Sequence, residues 1–161
     1  MLKPLSSRPT LDPKSVNHFA IVASRYNGEF VEPMLAKALE EITLIEPLSK
    51  THVVHAPGSF EIPYLAGQLI RKNKPDAIIC LGVIFQGETA HASLIAASVS
   101  DELCRMSVDA GIPIIHAVLL LQNEGQARER CLGNQSNRGT EAARAAIESL
   151  RASAGITPSL T

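Results

Sequence analysis

Short apolar runs alternate with amphipathic segments along most of the chain. Four apolar runs, at 18–24, 51–56, 76–85 and 112–121, each end in a polar or glycine-containing loop. Short runs that are apolar on both faces are typical of strands buried inside a parallel sheet. The pattern therefore predicts four such strands.

The segments between these runs have the periodicity of helices. In the segment 30–42, apolar side chains share one face, while Lys37, Glu40 and Glu41 lie on the opposite, polar face. The order of elements predicts an α/β fold, a three-layer α/β/α sandwich around a four-stranded parallel sheet. The predicted helical segments are 30–42, 61–73, about 91 to 109, 123–131 and 141–154, with 133–139 as a loop.

The length of the chain suits one domain. We predict that residues 17–154 form it, after an extended N-terminal arm at 1–16 and before a flexible tail at 155–161. The arm lacks the apolar segment of a signal peptide, and no apolar run reaches the roughly 20 residues that span a bilayer. We therefore expect a cytoplasmic protein with no membrane partner.

Charge and cysteine content argue against two kinds of partner. The formal net charge is −1 and there is no basic run, which disfavours nucleic acid as the main partner. Cys80, Cys104 and Cys131 are far apart, so we expect reduced packing residues and not a zinc site. No metal is predicted.

The loop after the third strand, residues 86–91, is the first candidate for chemistry. Gly87 precedes a helix start, whose backbone N–H groups suit a phosphate, and Thr89 adds a hydroxyl. His91 falls in the first turn of that helix and carries a group that transfers protons near neutral pH. The alternative is an ordinary turn with Thr89 as N-cap and an incidental surface histidine.

Other loops that follow strands carry candidate binding residues. Phe60 and Glu61 open a helix, where the ring can stack on a flat ligand; the alternative is a hydrophobic staple with a favourable first-turn acid. Arg130 and Arg138 flank a polar loop and together suit a phosphate, against the alternative of a solvated helix end. The loop after the first strand contains Arg25, Tyr26 and Asn27.

Five motifs, in this order and spacing, resemble the lumazine synthase family. The resemblance extends from about residue 18 to about residue 150, and the second and third motifs are specific in combination. The motifs are Ser-Arg-Tyr-Asn at 24–27, Ala-Pro-Gly-Ser-Phe-Glu-Ile-Pro at 56–63, Gly-Val-Ile-Phe-Gln-Gly-Glu-Thr-Ala-His at 82–91, Gln-Ala-Arg-Glu-Arg at 126–130 and Asn-Arg-Gly-Thr-Glu-Ala-Ala at 137–143.

The resemblance implies a flavodoxin-like fold and a reaction of riboflavin biosynthesis. The family condenses 5-amino-6-(ribitylamino)uracil with 3,4-dihydroxy-2-butanone 4-phosphate to 6,7-dimethyl-8-ribityllumazine, phosphate and water. An imine forms, phosphate leaves and the ring closes, with no metal or redox cofactor. Catalysis of this transferase reaction is then mainly positioning and proton transfer.

The resemblance also implies roles for individual residues. His91 matches the proton-transfer histidine, and Arg130 matches the phosphate-binding arginine. Arg138 stands where the family usually has lysine, and Tyr26 stands for an aromatic residue that stacks on the pyrimidine. The other implied substrate contacts are Asn27, the ribityl-binding Ser59, Phe60 and Glu61, the ring-lining Val83 and Ile84, and Gly87, Glu88 and Thr89 near the phosphate.

In the family, neighbouring subunits of a pentamer share each site, which implies a homo-oligomer here, either a pentamer or a larger icosahedral capsid. His116 and Arg130 would come from the neighbour. Gln86, Ala92, His116 and 120–122 depart from the usual pattern, which has arginine at 86, an aromatic at 92 and phenylalanine at 116. Two alternatives therefore stay open: a relative resembling riboflavin synthase, and a flavin- or lumazine-binding or shell-forming protein without turnover.

Overall fold

A computed structural model describes residues 6–134 and 136–156. Residues 1–5 of the predicted arm and 157–161 of the predicted tail lie outside the described residues. Within the described part, parallel strands pair in the order β2-β1-β3-β4. The strands are β1 (His18–Ser24), β2 (Lys50–Ala56), β3 (Ala77–Phe85) and β4 (Ile114–Leu121).

Helices cover both faces of this sheet, which confirms the predicted three-layer sandwich. In the described residues they are α1 (Gly28–Ile45), α2 (Ile62–Asn73), α3 (His91–Ala110), α4 (Glu124–Ala127) and α5 (Arg138–Ala154). A 3₁₀ turn at Ser59–Glu61 precedes α2, and a π-helical turn at Arg128–Leu132 follows α4.

The start of α5 differs from the prediction, which put residues 133–139 in a loop. The side-chain oxygen of Asn137 accepts hydrogen bonds from the N–H groups of Gly139 (2.8 Å) and Thr140 (3.4 Å). An asparagine in this role stabilises a helix start. The helix therefore begins at Arg138, and the predicted start at residue 141 was wrong.

The hydrophobic core lies in two layers, one on each face of the sheet. Phe19 and Ile21 of β1 pack beneath α1 and α5, while the alternate residues Ala20 and Val22 pack beneath α2 and α3. Because helices cover both faces, the central strands β1 and β3 are buried on both sides. This burial accounts for their continuous apolar sequences.

Helices α1 and α5 approach each other closely at Gly139. A Cβ atom at this position would lie 1.9 Å from the carbonyl oxygen of Met34 in α1. Only a residue without a side chain permits this approach. The contact fixes the start of α5, and with it Arg138, against the rest of the domain.

A buried charge cluster fastens the segment 6–16 to α1 and α5. The Nε groups of Arg8 and of Arg144 in α5 each donate to the Glu41 carboxylate of α1 at 2.7 Å, and Arg144 also donates to the carbonyl of Ser6. Glu41 is 4% exposed. The sequence-based position of Glu41 on the polar, solvent-facing side of α1 was therefore wrong.

Candidate active site

The loops after β1 and β2 lie side by side at the carboxyl edge of the sheet. The N–H of Arg25 donates to the carbonyl of Ala56 (2.8 Å), and the N–H of Tyr26 donates to the carbonyl of Pro57 (3.2 Å). The connections from β1 and β3 leave in opposite directions here, and open parallel sheets bind ligands at such a point. Tyr26 is 73% exposed, so its ring is accessible to a ligand at this edge.

Asn27 joins the first loop to the third strand. Its backbone is left-handed (φ 57°), a conformation that asparagine tolerates better than most residues, and its side-chain amide donates to the carbonyl of Val83 (2.7 Å). The side chain of Val83 is buried in the core beneath α1 and α5, whereas Ile84 is partly buried on the other face. Any contact of Val83 with a ligand is therefore made by its backbone.

The loop after β2 turns tightly against β3. Ser59 is buried, and a Cβ atom on Gly82 would come within 2.7 Å of its hydroxyl, so glycine at 82 makes room for this side chain. Phe60 is well exposed and is not packed as a hydrophobic staple. The Glu61 carboxylate, in the first turn of the helix, accepts a hydrogen bond from the N–H of Gly58 (2.9 Å), as the acid of a capping box does.

The loop after β3 ends where α3 begins. His91 is the first residue of α3, and it is exposed. The cap residue is Ala90, one position after the predicted N-cap Thr89, whose hydroxyl accepts a long hydrogen bond (3.4 Å) from the His91 N–H. Since Ala90 has no hydrogen-bonding side chain, the start of α3 offers backbone N–H groups that suit an anion.

A second group of candidate residues lies at the exposed edge of the sheet, between β4 and α5. A cavity of about 270 Å³, here called the edge cavity, is lined by His116, Arg130 and Arg138. The remaining lining residues are mostly apolar: Ile115, Ala117, Leu119, Glu141, Ala142 and Ala145. The cavity thus combines guanidinium groups with an apolar wall.

Asn137 holds the two arginine-bearing segments together. Its buried amide donates to the carbonyl of Cys131 (2.5 Å) in the π-helical turn that carries Arg130, while its oxygen caps the helix that begins at Arg138. π-helical turns occur frequently at functional sites. Arg138 forms an ion pair with Glu141, whereas Arg130 forms none within the described part of the chain.

His116 extends from β4 toward α3. Its Nε2 lies 2.8 Å from the hydroxyl oxygen of Ser100, and that hydroxyl donates its one proton to the carbonyl of Ala96 (2.7 Å). The hydroxyl oxygen must then accept the hydrogen bond from His116, so the neutral ring is protonated on Nε2. This tautomer leaves the lone pair of Nδ1 as an acceptor.

The family is identified by comparison with known proteins. The profile of the 6,7-dimethyl-8-ribityllumazine synthase family matches residues 17–154. The chain belongs to this family. The motif-based assignment to lumazine synthases, and to the enzymes of riboflavin biosynthesis, is thereby confirmed.

Several relatives carry the name 6,7-dimethyl-8-ribityllumazine synthase. The protein from Thermococcus kodakarensis is 37% identical over 128 residues, which cover 80% of this chain and 81% of the relative. The Buchnera aphidicola (Baizongia pistaciae) protein is 35% identical over 141 residues, or 86% and 89% of the two chains. The Desulfotalea psychrophila protein is 35% identical over 131 residues, or 81% and 84%.

A solved structure of a GDP-L-fucose synthetase from Naegleria fowleri shows a more distant similarity. The TM-score is 0.42 at 14% sequence identity, over 92% of this chain and 45% of that protein. This chain thus spans less than half of the synthetase. A similarity at this level carries no argument about the lumazine synthase site.

In this lumazine synthase family member, the predicted site residues fall into two groups. The strand-end group lies at or just after the carboxyl ends of β1, β2 and β3, and the edge-cavity group lies between β4 and α5. No strand-end residue lines the edge cavity. The strand-end group comprises Tyr26, Asn27, Ser59, Phe60, Glu61, Val83, Ile84, Gly87, Glu88, Thr89 and His91, and the edge-cavity group comprises His116, Arg130 and Arg138.

Sequence reasoning missed the partners that orient these residues. Glu141 as partner of Arg138 has the three-residue spacing of a helical pair, a signal that was hidden because the helix was predicted to start too late. The contact of Ser100 with His116 joins α3 to β4, and no local pattern indicates it. Gln86 makes hydrogen bonds across its loop that also have no signature in the sequence.

Two further observations concern metal and membrane. Among residues 6–134 and 136–156, no group of three or more histidine, cysteine, aspartate or glutamate side chains is arranged to hold a metal ion. In the same described ranges, every helix is too short or too polar to cross a bilayer.

Proposed function

We propose that this chain catalyses the condensation of 5-amino-6-(ribitylamino)uracil with 3,4-dihydroxy-2-butanone 4-phosphate, which yields 6,7-dimethyl-8-ribityllumazine, phosphate and water. The observation that carries the proposal is that three family motifs meet at the carboxyl edge of the sheet, with His91 opening α3 at that edge. The family match over residues 17–154 supports it.

In the proposed site the strand-end group binds the pyrimidine substrate. Tyr26 and Phe60 expose aromatic faces for stacking on the ring, while Ser59 and Glu61 supply oxygens for the ribityl hydroxyls. The Glu61 carboxylate already accepts one hydrogen bond, from the N–H of Gly58, and its other lone pairs are free to bind the ribityl chain. Holding the amine and the ketone in reacting geometry supplies most of the rate enhancement.

His91 is the proposed proton-transfer residue. An imidazole at the start of a helix beside the third loop can take a proton from the attacking amine and return one to the departing groups. Gly87, Glu88 and Thr89 lie near the phosphate in this proposal, with backbone N–H groups as donors.

Arg130 and Arg138 are proposed to bind the substrate phosphate from a neighbouring subunit. Both arginines line the edge cavity, which His91 does not line. In this proposal each protomer contributes its strand-end group to one site and its edge-cavity group to another, so that a homo-oligomer forms the complete site. A pentamer, alone or as part of a capsid, is the proposed assembly, in the cytoplasm. His116 lies in the same cavity and would face the substrate ring from the neighbour.

A turnover assay tests the proposal. Purified protein is mixed with both substrates and lumazine fluorescence is followed above the uncatalysed rate. We expect His91→Ala to lower kcat by roughly 100-fold, as for loss of a general acid–base group, with assembly unchanged. His52→Ala, at an exposed position of edge strand β2, is the matched control and should retain the wild-type rate.

Arginine variants test the phosphate assignment in the same assay. Arg130→Ala should raise KM for the butanone phosphate more than KM for the pyrimidine, since only the former carries the phosphate. Arg128→Ala, two residues earlier and largely exposed, is the control. A rate at background in the wild type would refute synthase activity. Bound yellow ligand without turnover would then favour the binding or scaffold alternative, and product formed from two lumazine molecules would favour the riboflavin-synthase-like alternative.

A further inference from the structure

Gln86 is the first residue after β3, at the start of the loop that leads to His91. Its backbone N–H donates to the carbonyl of Leu121, the last residue of β4, at 2.8 Å. The residue is half-buried, while residues 87–90 beyond it are exposed. The backbone of Gln86 is thus held by the sheet, and its side chain extends over the loop.

The side-chain amide of Gln86 makes three hydrogen bonds, all to this loop and to the first turn of α3. Its nitrogen donates to the carbonyls of Gly87 (2.9 Å) and Thr89 (3.1 Å), and its oxygen accepts from the hydroxyl of Ser93 (2.7 Å). The two carbonyls can only accept, so the partners fix which end of the amide is nitrogen. The contacts link the turn at Gly87 to the helix start on either side of His91.

We propose that Gln86 is a positioning residue that holds residues 87–90 and the start of α3 in the conformation that presents backbone N–H groups and His91 to the phosphate-bearing substrate. This inference rests on the proposed function for its kinetic consequence, but not for the loop contacts themselves. A loop that is already in place when substrate arrives loses less conformational freedom on binding. Gln86 touches no reacting atom in this scheme and acts through the loop.

Glutamine suits this role in a way that arginine does not. A guanidinium group has only donors, so it can bond the carbonyls of Gly87 and Thr89 but cannot accept from Ser93. Gln86 and Ser93 therefore act as a matched pair in this chain. The residue also carries no charge, so it holds the loop by geometry and leaves charge attraction for the phosphate to the arginines of the edge cavity.

Five variants separate the contacts. Gln86→Glu keeps the shape and the acceptor for Ser93, but replaces the side-chain NH₂ group, which donates to the carbonyls of Gly87 and Thr89, by a carboxylate oxygen that repels them. Ser93→Ala removes only the third contact. Ser98→Ala, at an exposed position of the same helix, is the matched control for Ser93→Ala. The double variant Gln86→Ala/Ser93→Ala, compared with the single variant Gln86→Ala, tests whether the two side chains act through one contact.

Steady-state kinetics give the first test. We expect Gln86→Glu to raise KM for the butanone phosphate by about tenfold and Ser93→Ala by about threefold, from the usual strength of the hydrogen bonds lost. KM for the pyrimidine should stay within about twofold in both, because the loop faces the phosphate end. Adding Ser93→Ala to Gln86→Ala should have almost no further effect. Equal increases in both KM values, or a wild-type KM in Gln86→Glu, would overturn the positioning role.

Hydrogen exchange of the segment 87–95, measured without substrates, gives a second test that needs no activity. Exchange should be about tenfold faster in Gln86→Glu than in the wild type or in Ser98→Ala. Unchanged exchange in Gln86→Glu would overturn the inference even in an active enzyme. If the wild type forms no lumazine, the proposed function fails. Faster exchange in Gln86→Glu would even then support the inference that Gln86 stabilises the conformation of the loop.

Discussion

Replacing Glu41 by glutamine is a direct test of the buried charge cluster that joins the arm to the domain. The carboxylate accepts from Arg8 Nε (2.7 Å) and Nη2 (3.0 Å) and from Arg144 Nε (2.7 Å). Glutamine has nearly the same shape but no charge. Only the oxygen of its amide can accept hydrogen bonds, so it cannot replace both carboxylate oxygens. The change leaves Arg144, 7% exposed, without its carboxylate partner.

The expected cost follows from the burial of the partners. Removing one member of a buried ion pair destabilises a protein by about 3–5 kcal/mol, because an uncompensated charge stays buried. We expect the low end, about 3 kcal/mol, since Arg8 is 51% exposed and regains hydration when it is released. For a chain of this size that corresponds to a fall in Tm of roughly 6–12 °C.

The adjacent variant Glu40→Gln is a matched control. Glu40 forms a surface ion pair with Lys37 (2.8 Å; side chains 38% and 54% exposed for Lys37 and Glu40), and such pairs contribute at most about 1 kcal/mol. Thermal unfolding of both variants and the wild type should be compared at one protein concentration, because assembly also stabilises. If Glu41→Gln unfolds at the same temperature as Glu40→Gln, the cluster contributes nothing net to stability.

The pH dependence gives a second measurement on the same variant. Burial by itself raises the pKa of Glu41, but the hydrogen bonds and positive charges of Arg8 and Arg144 outweigh it, so the pKa in the folded state is lowered. The stabilisation is then fully present above the unfolded-state pKa of about 4.3 and is lost as the pH falls through the folded-state pKa. The difference in stability between wild type and Glu41→Gln should therefore narrow as the pH is lowered below about 4. A difference that stays constant from pH 7 to pH 3 would contradict this account.

Two further predictions concern packing and thiol reactivity. Gly139→Ala should lower the free energy of unfolding by about 1–3 kcal/mol or more, since its Cβ would lie 1.9 Å from the Met34 carbonyl oxygen. Gly28→Ala is the control and should be tolerated, because the space around Gly28 is open. Equal denaturation midpoints for the two variants would contradict the close contact at Gly139. Burial raises the pKa of Cys80 to about 12 and that of Cys131 to about 11. At pH 8 neither thiol should therefore react with iodoacetamide in the folded protein, whereas both should react in denaturant. Mass spectrometry of the alkylated peptides distinguishes these outcomes.

The sheet could be predicted from sequence because a strand that is buried on both faces consists of consecutive apolar residues. The bounds of β1, His18–Ser24, are those that the apolar run predicts. The fourth strand was predicted from residue 112 but begins at Ile114, and Pro113, which has no N–H, precedes it. Since the strand ends fix which loops share an edge, the same pattern places Tyr26, Phe60 and His91 at one edge of the sheet, whereas roles for the other residues of the strand-end group came only from the family resemblance and stay predictions.

Long-range polar contacts could not be predicted in this way. Glu41 has the helical spacing of a surface residue, and only the arrival of Arg8 and Arg144 from distant parts of the chain makes its burial possible. Asn137 shows a related difficulty, since a sequence of polar residues with glycine is typical of a loop, while the side-chain cap that turns it into a helix start depends on conformation. Apolar periodicity records burial but carries no information on hydrogen-bond partners.

The distribution of charge explains how a neutral residue at position 86 is compatible with a phosphate substrate. The loop from Gln86 to Ala90 includes Glu88 but no cation, so on its own it offers a phosphate only oriented backbone groups. The cations of the proposed site lie in the edge cavity, where Glu141 pairs with Arg138 and Arg130 forms no ion pair within the described residues. Geometry and charge are thus supplied by different parts of the chain, which the proposed assembly brings together from two subunits. Phosphate affinity, and with it turnover, then depends on assembly more strongly than in a site whose loop carried its own arginine.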